Sequence, residues 1–311
     1  MDAVVERIGA LRSAIGEVVV GQANVVDEVL ATLLAGGHVL LEGVPGLAKT
    51  LLARTLASAL GLDFKRIQFT PDLMPADVVG TNIFDMAQGR FHLVRGPVFT
   101  QILLADEVNR TPPKTQAALL EAMEERQVTL DGNTLPLPDP FFVIATQNPL
   151  DHEGTYPLPE AQLDRFTMKV RVEYPSAAEE AQVYRRFLAG TRVALPTPVI
   201  DLATLTGLRD AVGAVHVDDK VLAYALAVVS ATRGARQLQS GASPRAGLMW
   251  LQVARAWAAM EGRAFVIPDD LKRMALPVLR HRLRLGADAE LEGTGADGIL
   301  SALIDRVDVP R

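Results

Sequence analysis

The chain predicts an α/β fold: a parallel sheet flanked by helices, interrupted by two β-hairpins and followed by a small all-α domain. Three observations predict it. Short, nearly continuous apolar runs alternate with helical periodicity over the first 175 residues, as strands buried on both faces of a parallel sheet do. Two segments break that rhythm with alternating patterns around Gln88-Gly89 and Asp131-Gly132. Beyond Tyr174-Pro175 helical periodicity takes over. The expected domains are therefore residues 1–175 and 176–311.

Taken in order, helical segments are expected at 2–15 and 22–35, ahead of the apolar strand His38–Leu41. A glycine-rich turn follows, then a helix over about 49–60. Further strands are expected at Arg66–Phe69, Ile102–Ala105, Phe141–Thr146 and Met168–Val172. The hairpins span Ile83–Val94 and Val128–Leu137. Asp131-Gly132 in the second supplies the positive φ angles of a type I′ turn. In the second domain, helices are expected at 177–188, 201–213, 218–232, 244–260 and 268–280, with the Pro-containing linker Leu195–Val199 among them. Pro268 before Asp269-Asp270 starts the last of these, because proline suits the first turn and carboxylates suit the positive end of the helix dipole.

Composition narrows the functions available. With 311 residues, 49% hydrophobic and 22% charged, the chain is long and apolar enough to bury a sizeable core. It has no cysteine, which excludes disulfides, thiolate metal sites and cysteine nucleophiles together. Its five histidines, at 38, 92, 152, 216 and 281, offer no pair at ligand spacing, so no zinc site is expected. Asp2 and Glu6 stand where a secretory signal would be apolar. The longest uncharged apolar run, Val221–Thr232, has 12 residues, against roughly 18 for a membrane-spanning helix. A soluble, cytoplasmic protein without a membrane span is expected. The net charge of −6 argues against nucleic acid as the main partner.

The strongest chemical signal is Gly43-Val44-Pro45-Gly46-Leu47-Ala48-Lys49-Thr50, which follows a buried strand and, with Leu51, opens a helix. That is the setting of a phosphate-binding P-loop. Loop amides and the helix N-terminus face an anion, Lys49 reaches the terminal phosphates, and Thr50 offers a hydroxyl to Mg²⁺. Alanine replaces the usual glycine at position 48, which is tolerable if φ there is negative. Ile102–Ala105 then ends in Asp106 and Glu107. Beside a P-loop, Asp106 can organise Mg²⁺, while Glu107 orients and deprotonates an attacking water. The adjacent pair favours hydrolysis over the phosphoryl transfer of P-loop kinases. Asn148 ends the next strand, where its amide could hold that water; by itself it reads as a turn residue before proline. Arg165 precedes the last core strand and Arg245 lies near the start of a helix in the second domain. Lone arginines of this kind are usually surface residues.

These motifs, in this order, resemble the AAA+ ATPases, and specifically the MoxR family. The resemblance covers essentially the whole chain. It rests on Val20-Gly21-Gln22, GVPGLAKT, Gln68–Leu73, Leu103–Arg110, Thr115–Glu125, ATQNP, LPEAQLDRF and GASPRA. It implies that Asp106 and Glu107 form Walker B, Asn148 is sensor 1, Arg165 is an arginine finger acting on a neighbour's ATP, and Arg245 is sensor 2. It also implies that Gly21 and Gln22 lie near the adenine, and that the two hairpins are the family's helix 2 insert and pre-sensor 1 insert. Hexameric rings, chaperone-like activity including metal or cofactor insertion, and a von Willebrand factor A-domain partner are implied as well. Arg110 is a second contact to the acids or an interface residue.

Two other readings use the same residues. Related AAA+ branches include DNA motors, which need basic hairpins to meet phosphates. Here Gln127–Asp139 contains no Lys or Arg, and the first hairpin offers Arg90. The Arg280, Arg282 and Arg284 run is expected to be a solvated or intersubunit surface rather than a phosphate site. The second alternative is a nucleotide-dependent assembly scaffold that hydrolyses little, against which Glu107 and Arg165 together argue.

Overall fold

The computed structural model describes residues 1–149, 155–190 and 194–309. From the N-terminus, α1 (Asp2–Gly16) and α2 (Ala23–Leu34) precede β1 (Val39–Glu42) and α3 (Lys49–Ala59). Next come β2 (Phe64–Gln68), a short α4 (Pro75–Val79) and the hairpin of β3 (Gly80–Asp85) and β4 (Arg90–Arg95). Then follow β5 (Ile102–Asp106), α5 (Pro113–Glu125) and the hairpin of β6 (Gln127–Leu130) and β7 (Asn133–Pro136). The strands β8 (Phe142–Gln147) and β9 (Met168–Arg171), separated by α6 (Glu160–Leu163), complete this part.

The five core strands form one parallel sheet in the order β2-β5-β8-β1-β9, as the apolar runs predict. Alternate residues face opposite ways. Val39, Leu41, Ile102, Leu104, Phe142 and Ile144 join a cluster with α1, α2 and α3. Leu40, Leu103, Ala105, Val143 and Ala145 join a second cluster with α4 and α5. The interior strand β5 is buried at every position, whereas the edge strand β2 exposes Lys65 and Arg66. Both hairpins are present, the first longer than its alternation indicates. In the second, Asp131 and Gly132 take φ angles of +49° and +80°, as the Asp-Gly pair requires. Asn82 Nδ2 donates to Asp131 Oδ2 at 2.6 Å, so the two hairpins touch.

The second part is helical: α7 (Ala177–Leu188), α8 (Leu202–Gly213), α9 (Asp219–Gly234), α10 (Pro244–Met260), α11 (Pro268–Leu279), α12 (Ala287–Leu291) and α13 (Ala296–Arg306). One small antiparallel pair, β10 (Leu238–Ser240) with β11 (Arg284–Leu285), joins it. Trp250 is fully buried and donates its indole N–H to the Leu271 carbonyl at 2.8 Å, locking α10 to α11. The apolar cluster continues from the sheet through α1 and α2 into these helices. Among the described residues no helix is long and apolar enough to cross a membrane.

Because the sheet is parallel, its two ends differ. The loops after β1, β5 and β8 all open at the C-terminal end, where α/β sheets bind ligands. The register Val39↔Met168 to Glu42↔Arg171 puts the segment before β9 at the opposite end.

Candidate functional site

At the C-terminal end, Pro45–Leu51 with Asp106, Glu107, Thr146 and Asn148 line a cleft of about 380 Å³. That volume suits a small-molecule ligand. The loop that forms its floor is built by close approaches. A Cβ on Gly43 would lie 2.6 Å from the Val172 carbonyl oxygen, so only glycine fits there. Gly46 takes φ +88°. Ala48 does not meet the condition of a negative φ, for it adopts φ +57° and ψ +18°. The loop must turn back into the first residue of α3, and a left-handed residue makes that turn; alanine holds it at a cost of about 1–2 kcal/mol. Lys49 Nζ donates to the Gly43 carbonyl and, at 3.3 Å, to that of Val44. Burial pushes its ammonium below the ordinary lysine range, against the pull of Asp106 and Glu107.

The two carboxylates are held from strands that the sheet order places beside them. Asp106 is buried at the end of β5. Its Oδ1 accepts the Thr146 hydroxyl at 2.6 Å, and its Oδ2 accepts Arg66 Nη2 at 2.7 Å and Nε at 3.2 Å. Glu107 is itself left-handed, with φ +56°, and its N–H donates to Thr146 Oγ1 at 2.8 Å. Its Oε2 accepts Gln68 Nε2 at 2.7 Å and lies 3.2 Å from Arg110 Nη1. Arg110 is thus a direct partner of the acid. Arg66, Gln68 and Thr146 have no marked role in the sequence reading. All three lie in segments that read as strands, but only strand pairing reveals what they touch.

Asn148 is buried beyond the end of β8 and faces the same cleft. Magnesium fits the donors present. Asp106 and Thr50 line one cleft and supply a carboxylate and a hydroxyl, hard oxygens of the kind this ion takes together with substrate phosphates. Gly21 and Gln22 do not line it. Gly21 packs against Pro175 and Glu179, and Gln22 Nε2 donates to the Glu173 carbonyl at 3.0 Å. Glu173 in turn borders a neighbouring cleft with Val44, Leu47, Val172 and Tyr174.

Arg165 and Arg245 lie elsewhere, at the opposite end of the sheet. Four residues of β1 separate the two ends, roughly 13 Å of strand. There both arginines pair with Glu124, at 2.7 and 2.8 Å. The basic run also departs from expectation, because it is not a common surface. Arg282 is only 2% exposed and pairs with Asp164 at 2.6 Å. It donates as well to the carbonyls of Asp164, Phe166 and Thr167 at 3.1, 2.6 and 3.1 Å. Arg280 is likewise inward, 3.2 Å from Asp297, and Arg284 alone of the three is exposed. The 3-10 turn Arg280–Arg282, with His281 buried, fastens the helical part to the backbone around Arg165.

Comparison with known proteins agrees with this arrangement. The model of the ATPase family associated with various cellular activities (AAA) matches residues 38–168, and that of the AAA lid domain matches residues 230–303. The uncharacterized protein YeaC of Bacillus subtilis is 46% identical over 97% of this chain and 95% of its own. Chaperone MoxR1 of Mycobacterium tuberculosis is 43% identical over 98% of this chain and 83% of its own. A crystal structure of a candidate ATPase from Cytophaga hutchinsonii superposes with a TM-score of 0.91 at 40% identity, covering 100% of this chain and 98% of that one. An AAA core followed by a helical AAA lid, with relatives of this identity over almost the whole chain, shows that the chain belongs to the MoxR family of AAA+ ATPases.

Proposed function

We propose that this protein hydrolyses ATP with magnesium at sites shared between neighbouring copies in a ring, a hexamer by family resemblance. The cycle remodels, activates or assembles client proteins, including by metal or cofactor insertion, alongside a von Willebrand factor A-domain partner. The observation that carries the reading is the split of the candidate catalytic set. Lys49, Asp106, Glu107 and Asn148 gather at one end of the sheet, and Arg165 with Arg245 at the other. A head-to-tail contact between copies brings the two halves together, and such heterologous contacts form rings where their rotation closes.

In that arrangement Lys49 and the loop amides bind the β- and γ-phosphates. Thr50 and Asp106 would hold magnesium, which would supply neutralisation of the phosphate charge. Asn148 orients the water. Glu107 takes its proton as the oxygen attacks the γ-phosphorus and ADP departs. The neighbour's Arg165 and Arg245 stabilise charge on the transferring phosphoryl group. A protein client is supported over DNA by the first hairpin, where Ile83, Phe84, Met86 and Phe91 are exposed and the Phe84 and Phe91 rings lie 5.1 Å apart. The relative named as a chaperone supports it too.

Mixing two inactive variants tests the shared site. Arg165→Ala should bind ATP yet hydrolyse it poorly, since arginine fingers contribute about 10³–10⁵ in rate where measured. Mixed with Glu107→Gln under confirmed subunit exchange, it should regain turnover, because some interfaces pair an intact Glu107 with an intact Arg165. No recovery at any ratio would sink the proposal, and ATP turnover by the intact chain separates it from a non-hydrolysing scaffold.

A further inference from the structure

A single carboxylate joins the two arginines at the far end of the sheet. Glu124, near the C-terminus of α5, gives one oxygen to each: Oε2 accepts Arg165 Nε at 2.7 Å, and Oε1 accepts Arg245 Nη1 at 2.8 Å. The arginines come from different parts of the chain, Arg165 from the stretch before β9 and Arg245 from the first turn of α10. Each is also braced from outside the pair. Arg165 Nη1 donates to the Ala161 carbonyl at 3.3 Å. Arg245 Nε lies 3.7 Å from Asp164 Oδ2, while Asp164 Oδ1 takes the buried Arg282 at 2.6 Å. Charges alternate along this chain: Arg165, Glu124, Arg245, Asp164, Arg282.

Two guanidiniums this close repel each other, and flexible side chains would swing apart without an anion between them. Glu124 supplies that anion. The hydrogen bond from Arg245, seconded by that from Arg165, holds its carboxyl below the ordinary range, so the bridge is charged at neutral pH. Glu124 takes one N–H from each five-donor fork, so both arginines keep donors for a second anion. They border a cleft of about 210 Å³ with Gly36, Arg126 and Gln252. Arg126 adds a third guanidinium to its lining.

We infer that Glu124 is a positioning residue that sets Arg165 and Arg245 as a two-pronged receptor for the terminal phosphates of a nucleotide presented by a second copy of this chain. The inference rests on the shared-site reading above. It makes Glu124 an aligner rather than a latch, since its removal loosens both prongs instead of releasing them for use. Misplacing a reacting group by about 1 Å can cost 100-fold in rate.

The test is steady-state ATP hydrolysis by the full chain carrying Glu124→Gln, Glu124→Asp, Arg165→Ala or Arg245→Ala, with Glu125→Gln as a charge control and thermal unfolding to confirm folding. Glu124→Gln should lower kcat by about 10- to 100-fold while KM stays within about twofold, because the ATP is held by another copy's P-loop. Glu124→Asp keeps the charge on a shorter arm and should recover part of kcat. The loss from Arg245→Ala should be much smaller in the Glu124→Gln background than in the wild type, as for residues acting through one network. A wild-type or raised kcat in Glu124→Gln, with both arginine variants impaired, overturns the inference and leaves the shared site standing. Wild-type kcat in both arginine variants overturns the shared site, and this inference with it.

Discussion

Thr146 Oγ1 donates its proton to Asp106 Oδ1 across 2.6 Å and itself accepts the Glu107 amide N–H at 2.8 Å. One β8 side chain therefore sets both acids at the end of the neighbouring β5. The contact also stabilises the left-handed backbone of Glu107, which turns its side chain out of the line of the strand.

Thr146→Val keeps the shape and removes the hydroxyl. Glu107 N–H and Asp106 Oδ1 each lose a partner in a buried setting, which costs about 1–3 kcal/mol of stability. Hydrolysis should fall more than ATP affinity, because the loop and Lys49 are untouched. Thr146→Ser should restore both. Denaturant unfolding, ATP binding and turnover on the three proteins check this, and a fully active Thr146→Val would remove Thr146 from the site.

Lys49 and Glu107 should separate binding from chemistry. Lys49→Ala removes the cation that meets phosphate in the ground state, so ATP binding should be lost. Glu107→Gln keeps the hydrogen-bonding shape toward Gln68 and Arg110 but removes the base, so ATP should bind while hydrolysis falls by about 10²–10⁴. Equal loss of affinity in both variants, measured by equilibrium binding, would contradict the assignment.

The parts legible in the sequence are those in which a motif and its structural setting are contiguous. Gly43–Thr50 sits on a strand–turn–helix of its own, and Asp106 and Glu107 end an unbroken apolar run, so each needs only local pattern. Asp131-Gly132 marks its hairpin for the same reason. What strand order assembles is not legible. Arg66 and Gln68 lie on β2 and Thr146 on β8, and both strands flank β5 only because the order is β2-β5-β8-β1-β9. Glu124 meets partners 41 and 121 residues away. Arg282 reads as surface, yet four backbone carbonyls and a carboxylate satisfy its guanidinium and offset its burial. The sign of φ at Ala48 is set by the path of the loop, to which side-chain pattern is blind.

Ala48 offers a direct check on that backbone. At φ +57° a Cβ is strained by about 1–2 kcal/mol, while glycine gives back somewhat less than 1 kcal/mol through unfolded-state entropy. Ala48→Gly should therefore be neutral or stabilising by up to about 1 kcal/mol, with nucleotide binding retained. Gly43→Ala should do the opposite, since its Cβ would press to 2.6 Å from the Val172 carbonyl oxygen. Chemical denaturation of both variants tests the pair, and a clear loss of stability in Ala48→Gly would contradict the strained geometry.

Acid should destabilise the fold through two buried histidines. His38 donates from Nε2 to the Met123 carbonyl at 3.2 Å and accepts the Val143 N–H at Nδ1 at 3.1 Å, a set of bonds only the neutral ring satisfies. Burial, with Arg126 and Arg209 adding to it, lowers its pKa from 6.5 to about 4. His281 is also buried, and burial together with the adjacent Arg282 drives its pKa well below the ordinary value. For both, the unfolded chain binds the proton first, so stability is full above pH 6.5 and declines as pH falls toward the folded values. Glu28 acts in the other direction. Burial raises it from 4.5 to about 6, so the folded chain takes up its proton first and recovers part of the loss between those values. Two protons set against one leave a net loss of stability between pH 7 and 5. His38→Asn retains an acceptor for Val143 but cannot titrate, so it should flatten that slope by up to one proton even though its stability at pH 7 is lower. Urea midpoints measured from pH 7 to 5 decide the matter: equal slopes for the two proteins would mean that His38 takes up its proton in the fold over the same range as in the unfolded chain, contrary to its bonds.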